Sequence, residues 1–260
     1  MEFSEIIYDL KNGVATITLN RPESLNAISI SMARELALAI EWAARDSECR
    51  TVVLTGAGRA FSVGGDIKYM KKGLSAVEGR NYVMEVGRPI MLIHKIEKPV
   101  IAVVNGYAMG AGFNLALAAD LLVAVKGAKF GQVFTRVGLA IDGGGSYFLP
   151  KILGPARAKE LVFTGRIIDA EEALQMGLVN KVVEKDKLEQ VVSSLAGKLS
   201  RGPSQALGLA KMLINAGMNE DLETIISSEA FAQSVCMQTG DHKEGLAAFL
   251  EKREPVFGKK

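Results

Sequence analysis

The stretch 98–124, "KPVIAVVNGYAMGAGFNLALAADLLVA", decides the fold, because residues 99–119 carry no charge over 21 positions and admit two physical readings. A run of that length is long enough to span a bilayer. The same run arises when a buried strand is followed at once by a buried helix. Asn105, Asn114, Gly106, Gly110 and Gly112 inside it favour the second reading. A strand over 99–106, "PVIAVVNG", and a helix opening after Gly110 follow from it. Outward from this centre, "TVVLTG" (51–56), "LLVAV" (121–125), "KFGQVF" (129–134) and "LVNKVV" (178–183) also read as strands. Between them, Met32, Leu36, Ala39, Ile40 and Ala43 recur at three- and four-residue steps, which predicts an amphipathic helix over 29–45. A second helix is expected over about 76–96. "EIIYDL" and "VATITLN" flank Asn12-Gly13 and predict an opening hairpin. Strand and helix therefore alternate, which is the pattern of an α/β layer fold with largely parallel strands.

Asp169 with Glu172 three positions on resembles a capping box. Beyond about residue 186 no strand-like run remains. Helical segments there are interrupted at 202–204, near Gly217 and at Gly240. The expected organisation is a core over 1–200 and a helical C-terminal region over 201–260. Met212, Leu213, Ile225, Ile226 and Phe231 either build a subunit interface or cap the same core.

With 48% hydrophobic and 23% charged residues the chain is neither disordered nor fibrous. A net charge of +2 is too small to imply a nucleic-acid partner. Cys49 and Cys236 have no metal-ligand spacing, are expected to be core residues, and suit a reducing compartment. The N-terminus "MEFSEIIYDL" is acidic and has no long apolar run, so no signal peptide is expected and the cytoplasm is the expected location.

Three glycine-rich stretches follow strand-like runs: "SVGGDIKYM", "NGYAMGAGFNLALAAD" and "IDGGGSYFL". Glycine lets a backbone approach a ligand closely and present bare amides. A helix capped by Asp66 and another opening at 110–112 would turn their N-termini toward one anion. A dinucleotide fold competes, since "GAGFNL" holds two glycines of the G-x-G-x-x-G pattern. It fails because Leu115 stands at the third glycine and residues 105–109 separate the motif from its strand. No Gly-Lys-Ser or Gly-Lys-Thr occurs, which excludes a P-loop.

Four blocks in order, "RAFSVGGDIKYM" (59–70), the stretch 98–124, "GLAIDGGGSYFLPKILG" (138–154) and "EGLAAFLEKREPVF" (244–257), resemble the crotonase family of enoyl-CoA hydratases and isomerases. The resemblance implies a spiral of strand-strand-helix units with a C-terminal helical region that builds homotrimers or hexamers. It implies an acyl-CoA thioester as substrate, with coenzyme A part of the substrate and no separate cofactor. The N–H groups of Gly65 and Ala111 match the pair that binds the thioester oxygen in that family. Each such donor contributes about 2.7–4 kcal/mol when charge develops on the oxygen. By the same matching, Leu25, Ala27, Ile67 and Lys68 contact coenzyme A, and Phe249 with Lys252 close over its nucleotide end from this or a neighbouring subunit. The stretch 71–81 is expected to border the acyl pocket.

The hydratases of the family use two glutamates; at the matching positions this chain has Asn114 and Phe134, neither of which acts as a general base. Asp142 is the remaining acid, at the position where single-acid isomerases of the family carry theirs. Val137, Leu139 and Ile141 would disfavour its ionised form and raise its pKa. Competing roles for Asp142 are a cap on a helix beginning near Gly145 and a nucleophile, as in a related dehalogenase branch. His94 and Tyr147 are expected to be packing residues. The resemblance thus implies isomerisation through an enolate, by double-bond migration or ring opening. Hydration of an unusual substrate, or a non-catalytic binding or assembly role, is the alternative.

Overall fold

The computed structural model describes residues 3–258. β1 (Ile6–Lys11) and β2 (Val14–Leu19) form the antiparallel hairpin in register Ile6↔Leu19 through Lys11↔Val14. Ala15, Ile17 and Leu19 of β2 point into the core while their neighbours do not, the period-two pattern of a half-buried strand. α1 (Ile30–Arg45) follows, started by Ser29, whose hydroxyl accepts the Met32 N–H at 2.9 Å. Its apolar stripe, from Met32 to Ala43, is fully buried.

Three strand-strand-helix units come next. The first is β3 (Thr51–Gly56), β4 (Ala60–Ser62), the single turn α2 (Ile67–Met70) and α3 (Ala76–Lys95). The second is β5 (Val100–Val104), β6 (Tyr107–Met109) and α4 (Ala111–Leu117). The third is β7 (Leu121–Val125), β8 (Lys129–Gly131), α5 (Gly145–Leu153) and α6 (Pro155–Thr164). In each unit the longer strand joins a six-stranded sheet and the short one joins a four-stranded sheet. β9 (Ile167–Asp169), α7 (Ala170–Gln175), β10 (Lys181–Val183) and α8 (Leu188–Ser200) complete the core. The sheet orders are β1-β2-β3-β5-β7-β10 and β4-β6-β8-β9, with parallel pairing between successive units. Within the uncharged run, β5 and α4 are wholly buried. Among the described residues no helix is long and apolar enough to cross a membrane.

Four expectations need correction. The strand expected over 99–106 stops at Val104, where the Asn105 amide donates to the carbonyls of Gly56 (2.7 Å) and Gly58 (3.0 Å) and turns the chain into the second sheet. The strand expected over 129–134 ends at Gly131, whose carbonyl accepts the Gly110 N–H at 2.8 Å, and residues 133–137 form a 3₁₀ turn. The strand expected over 178–183 loses its first half because Leu178 and Val179 donate back to Ala173, closing α7. Asp169 does cap α7, but Glu172 pairs with Arg166 at 2.6 Å, so the box is half formed.

The C-terminal helices are α9 (Ser204–Gly217), α10 (Leu222–Met237) and α11 (Gly240–Glu251). α9 is pinned to the core by Lys211, whose ammonium donates to the carbonyls of Ile93 (2.8 Å) and Lys98 (3.3 Å) and pairs with Asp120 at 2.9 Å. α10 and α11 each bury a single alanine, while Met212, Leu222, Ile226, Phe231, Phe249 and Leu250 are exposed and Leu213 and Ile225 half-buried. These faces therefore do not cap the core of their own chain. Cys49 is buried as expected, whereas Cys236 is only half-buried on α10.

Candidate active site

Two main-chain amides meet at the end of β4 and the start of α4, and the peptide plane decides where each points. Ile28 donates its N–H to the Gly64 carbonyl at 2.7 Å. In a trans peptide the N–H opposes the C=O, so the N–H of Gly65, in the same unit, points away from Ile28. The Gly110 carbonyl accepts the Asn114 N–H at 3.1 Å as the first bond of α4, so the Ala111 N–H points out of the helix start. Among the described residues neither amide donates to a protein acceptor. α2 and α4 have only four and seven residues, so the orientation of these peptides, more than any helix dipole, defines the donor pair. Gly64 lies between them at φ +91°, and a Cβ there would sit 2.8 Å from the Met109 carbonyl oxygen and 3.2 Å from the Ala111 nitrogen. Only glycine lets the two peptides approach this closely.

Gly65, Ala111 and Asp142 line one cavity of about 480 Å³, with Ile67, Met70, Val133, Phe134, Val137 and Leu139 as its apolar wall and Lys71 and Arg136 beside them. Burial pushes the Asp142 carboxyl up from 3.8 to about 6. Its Oδ1 is buried with no hydrogen-bond partner among the described residues. The side chain does not cap α5: Gly144 is the cap residue, and it is the Asp142 main-chain carbonyl that accepts the Gly145 N–H at 3.0 Å. Gly143 and Gly144, at φ 56° and 77°, give the left-handed turn that directs the carboxyl inward.

Asn114 fixes that turn. It is fully buried, its amide nitrogen donates to the Asp142 carbonyl at 2.7 Å, and its oxygen accepts from Gln132 Nε2 at 2.7 Å. A carboxylate at 114 has no proton for the Asp142 carbonyl. Phe134 packs its ring over Gly110, on the cavity wall. Asp142 is the only acid lining this cavity among the described residues.

Of the remaining residues singled out in the sequence, Ile67 lines the cavity and Lys68 is exposed beside it on α2. Leu25 and Ala27 lie in the loop leading to Ile28, held there by the Val63 N–H to Leu25 carbonyl bond (3.2 Å) and by Arg21, which donates to the Ala27 carbonyl at 2.7 Å and pairs with Asp66 at 3.0 Å. Neither lines the cavity. Phe249, 80% exposed, and Lys252 sit on the outer end of α11, also off the cavity wall of this chain. From 71–81, only Lys71 reaches the cavity. His94 stacks edge-on against Tyr147 and Phe148 (5.6 and 5.5 Å), and Tyr147 accepts from Asn219 at 3.0 Å; neither reaches the cavity. Gln132, Arg21 and Tyr82 escaped the sequence reading. Gln132, the one uncharged polar side chain inside "KFGQVF", was the only one with a visible signal.

Known proteins resemble this chain over nearly its whole length. The family model described as enoyl-CoA hydratase/isomerase matches residues 9–260. A short-chain-enoyl-CoA hydratase of Clostridium acetobutylicum is 38% identical over 98% of this chain and 97% of its own. A 1,2-epoxyphenylacetyl-CoA isomerase of Escherichia coli is 37% identical over 99% of this chain and 98% of its own. The crystal structure of an enoyl-CoA hydratase from Bacillus anthracis superposes with a TM-score of 0.93 at 36% identity, covering 98% of this chain and 99% of that one.

Proposed function

The chain belongs to the enoyl-CoA hydratase/isomerase family, and from that premise we propose that it is an acyl-CoA isomerase working through a thioester enolate. The observation that carries this reading is the cavity wall: among the described residues Asp142 is its one acid. Hydration by a carboxylate pair needs one group to activate water and another to protonate carbon. Isomerisation needs one group used twice. Asp142 takes a proton from the carbon next to the thioester carbonyl, and the electron pair moves onto the carbonyl oxygen. The Gly65 and Ala111 N–H groups hold that oxygen as its charge grows. The same carboxyl returns the proton to the far end of the conjugated system, which leaves the carboxylate as it began and the double bond shifted. In a ring-opening substrate the released electron pair instead forms a double bond as the strained bond breaks, its electrons stay on the departing ring atom, and that atom takes up the proton from Asp142. A pKa near 6 suits both halves of the cycle at neutral pH.

Coenzyme A lies along Leu25, Ala27, Ile67 and Lys68, and Phe249 with Lys252 close over it in a homotrimer or a hexamer assembled through the exposed faces of α9 to α11. The exposed apolar side chains on those faces, Met212, Leu222, Ile226 and Phe231 among them, support this assembly. Hydratase activity is the second reading, favoured by the names of the Clostridium and Bacillus relatives. The two separate by product. Supplied with 3-hexenoyl-CoA, the protein should yield 2-hexenoyl-CoA, and supplied with 2-hexenoyl-CoA it should yield little 3-hydroxyhexanoyl-CoA. Rapid formation of the hydroxy thioester from the 2-enoyl ester, without bond migration, would establish hydration instead.

A further inference from the structure

The geometry points to Tyr82 as the positioning residue of the oxyanion site: its hydroxyl fixes the peptide that follows Gly65 and so sets the aim of the Gly65 N–H. The inference rests on the reading of Gly65 and Ala111 as thioester-oxygen donors and concerns a residue outside the cavity they line. Tyr82 comes from the second turn of α3 and is 3% exposed. Its hydroxyl donates to the Ile28 carbonyl at 2.9 Å and accepts the Asp66 N–H at 2.7 Å. The direct bond between those two main-chain groups, Asp66 N–H to Ile28 carbonyl, is long at 3.3 Å. The tyrosine oxygen therefore makes the short links in a contact that the backbone alone makes weakly.

That contact is half of the bridge that orients Gly65. Ile28 grips the peptide before Gly65 through the Gly64 carbonyl, and the peptide after it through the Asp66 N–H. One bond at the Gly64 carbonyl lets that peptide pivot about its oxygen, and with the following peptide loose and no Cβ at Gly65 to restrain the joint, the Gly65 N–H would swing with it. The Tyr82 hydroxyl removes that freedom. It sits where a Cβ on Gly65 would be only 2.9 Å away, so it also supplies the packing the missing side chain would give. Burial pushes the phenol up to about 12, so the proton it donates to Ile28 stays in place throughout the working pH range. The ring stacks on Tyr69 of α2 at 5.1 Å, which holds it against the segment it steadies. Tyr82 is absent from the cavity wall, so it acts on the reaction through Gly65 and not by touching the substrate.

The test is Tyr82→Phe, which removes one oxygen and keeps the ring. With 3-hexenoyl-CoA, kcat should fall about 10–100-fold, the range expected when a donor is displaced by a fraction of an ångström to an ångström. KM should change by less than about threefold, because uniform binding is untouched. Cinnamoyl-CoA reports on the carbonyl directly, since donors on its thioester oxygen shift its absorption to the red. The shift seen with the parent protein should shrink in the variant, while the fall of kcat/KM near pH 6 that Asp142 sets should stay in place. Parent-like kcat and red shift in Tyr82→Phe, or a change in KM alone, overturns the proposal. Absence of any red shift in the parent defeats the oxyanion reading beneath it. Should Tyr82→Phe fail to fold, a ring-fluorinated tyrosine at position 82 keeps the question open to measurement. Its phenol ionises at lower pH, and kcat must drop as that proton is lost; a profile identical to the parent's overturns the proposal.

Discussion

Replacing Asp142 by Asn should destroy activity and stabilise the protein, and the stabilisation should depend on pH in one direction only. Folding raises the Asp142 pKa from 3.8 to about 6 by burial alone. The folded state therefore holds that proton more tightly than the unfolded chain does. Below about pH 4 the carboxyl is neutral in both states and costs nothing. Above about pH 6 it is ionised in both, and the folded protein bears the cost of a charge removed from water. At 1.36 kcal/mol per unit the shift sets a ceiling of about 3 kcal/mol. Partial solvent access to the carboxyl brings this to about 1–2 kcal/mol. Asparagine is nearly isosteric and carries no charge, so Asp142→Asn should melt about 2–6 °C above the parent at pH 8. The difference should shrink toward zero as pH falls from 6 to 4. Turnover of 3-hexenoyl-CoA should fall by about 10²–10⁴-fold in the same variant. Parallel thermal melts across pH, beside one activity assay, give both readings. A variant with the parent's melting temperature at pH 8, or with its turnover, would refute the argument that a buried, ionised acid serves catalysis here.

Gly64→Ala should fold, by circular dichroism, and lose at least about 100-fold in kcat, because the new Cβ meets the Met109 carbonyl at 2.8 Å and pushes the Ala111 peptide from its place; near-normal turnover would show that the spacing of the two amides is not what matters. Lys211→Met should cost about 1–3 kcal/mol by leaving the partly exposed Asp120 carboxylate with the Val100 N–H at 2.7 Å and no cation, and Lys211→Met combined with Asp120→Asn should recover most of it in thermal melts. A single variant as stable as the parent would contradict that account.

The sequence spoke most clearly where a side chain repeats with a period or where a glycine has one possible reason to be present. α1 and the hairpin were legible because Met32, Leu36 and Ile40, or Ala15, Ile17 and Leu19, each mark one face. The turn after Asp142 was legible because three glycines follow an acid. The four-stranded sheet was harder to read: β4, β6 and β9 have three residues each, too few to show alternation. Strand ends were misjudged wherever a backbone group bonded elsewhere, as Leu178 and Val179 do to Ala173. Asn114 could be read as the lack of a base, but its bond to the Asp142 carbonyl depends on a tertiary approach that no spacing reveals. Tyr82 is the extreme case, 54 residues from Ile28 in the chain and within 2.9 Å of it in the fold.

A structure with a non-reactive analogue of a 3-enoyl-CoA thioester bound tests the account most directly. The carbonyl oxygen should lie about 3 Å from both the Gly65 and Ala111 nitrogens, with an Asp142 carboxyl oxygen facing both the carbon next to the carbonyl and the far carbon of the double bond. A thioester oxygen held by other groups, or an Asp142 carboxyl turned from the acyl carbons, would contradict it.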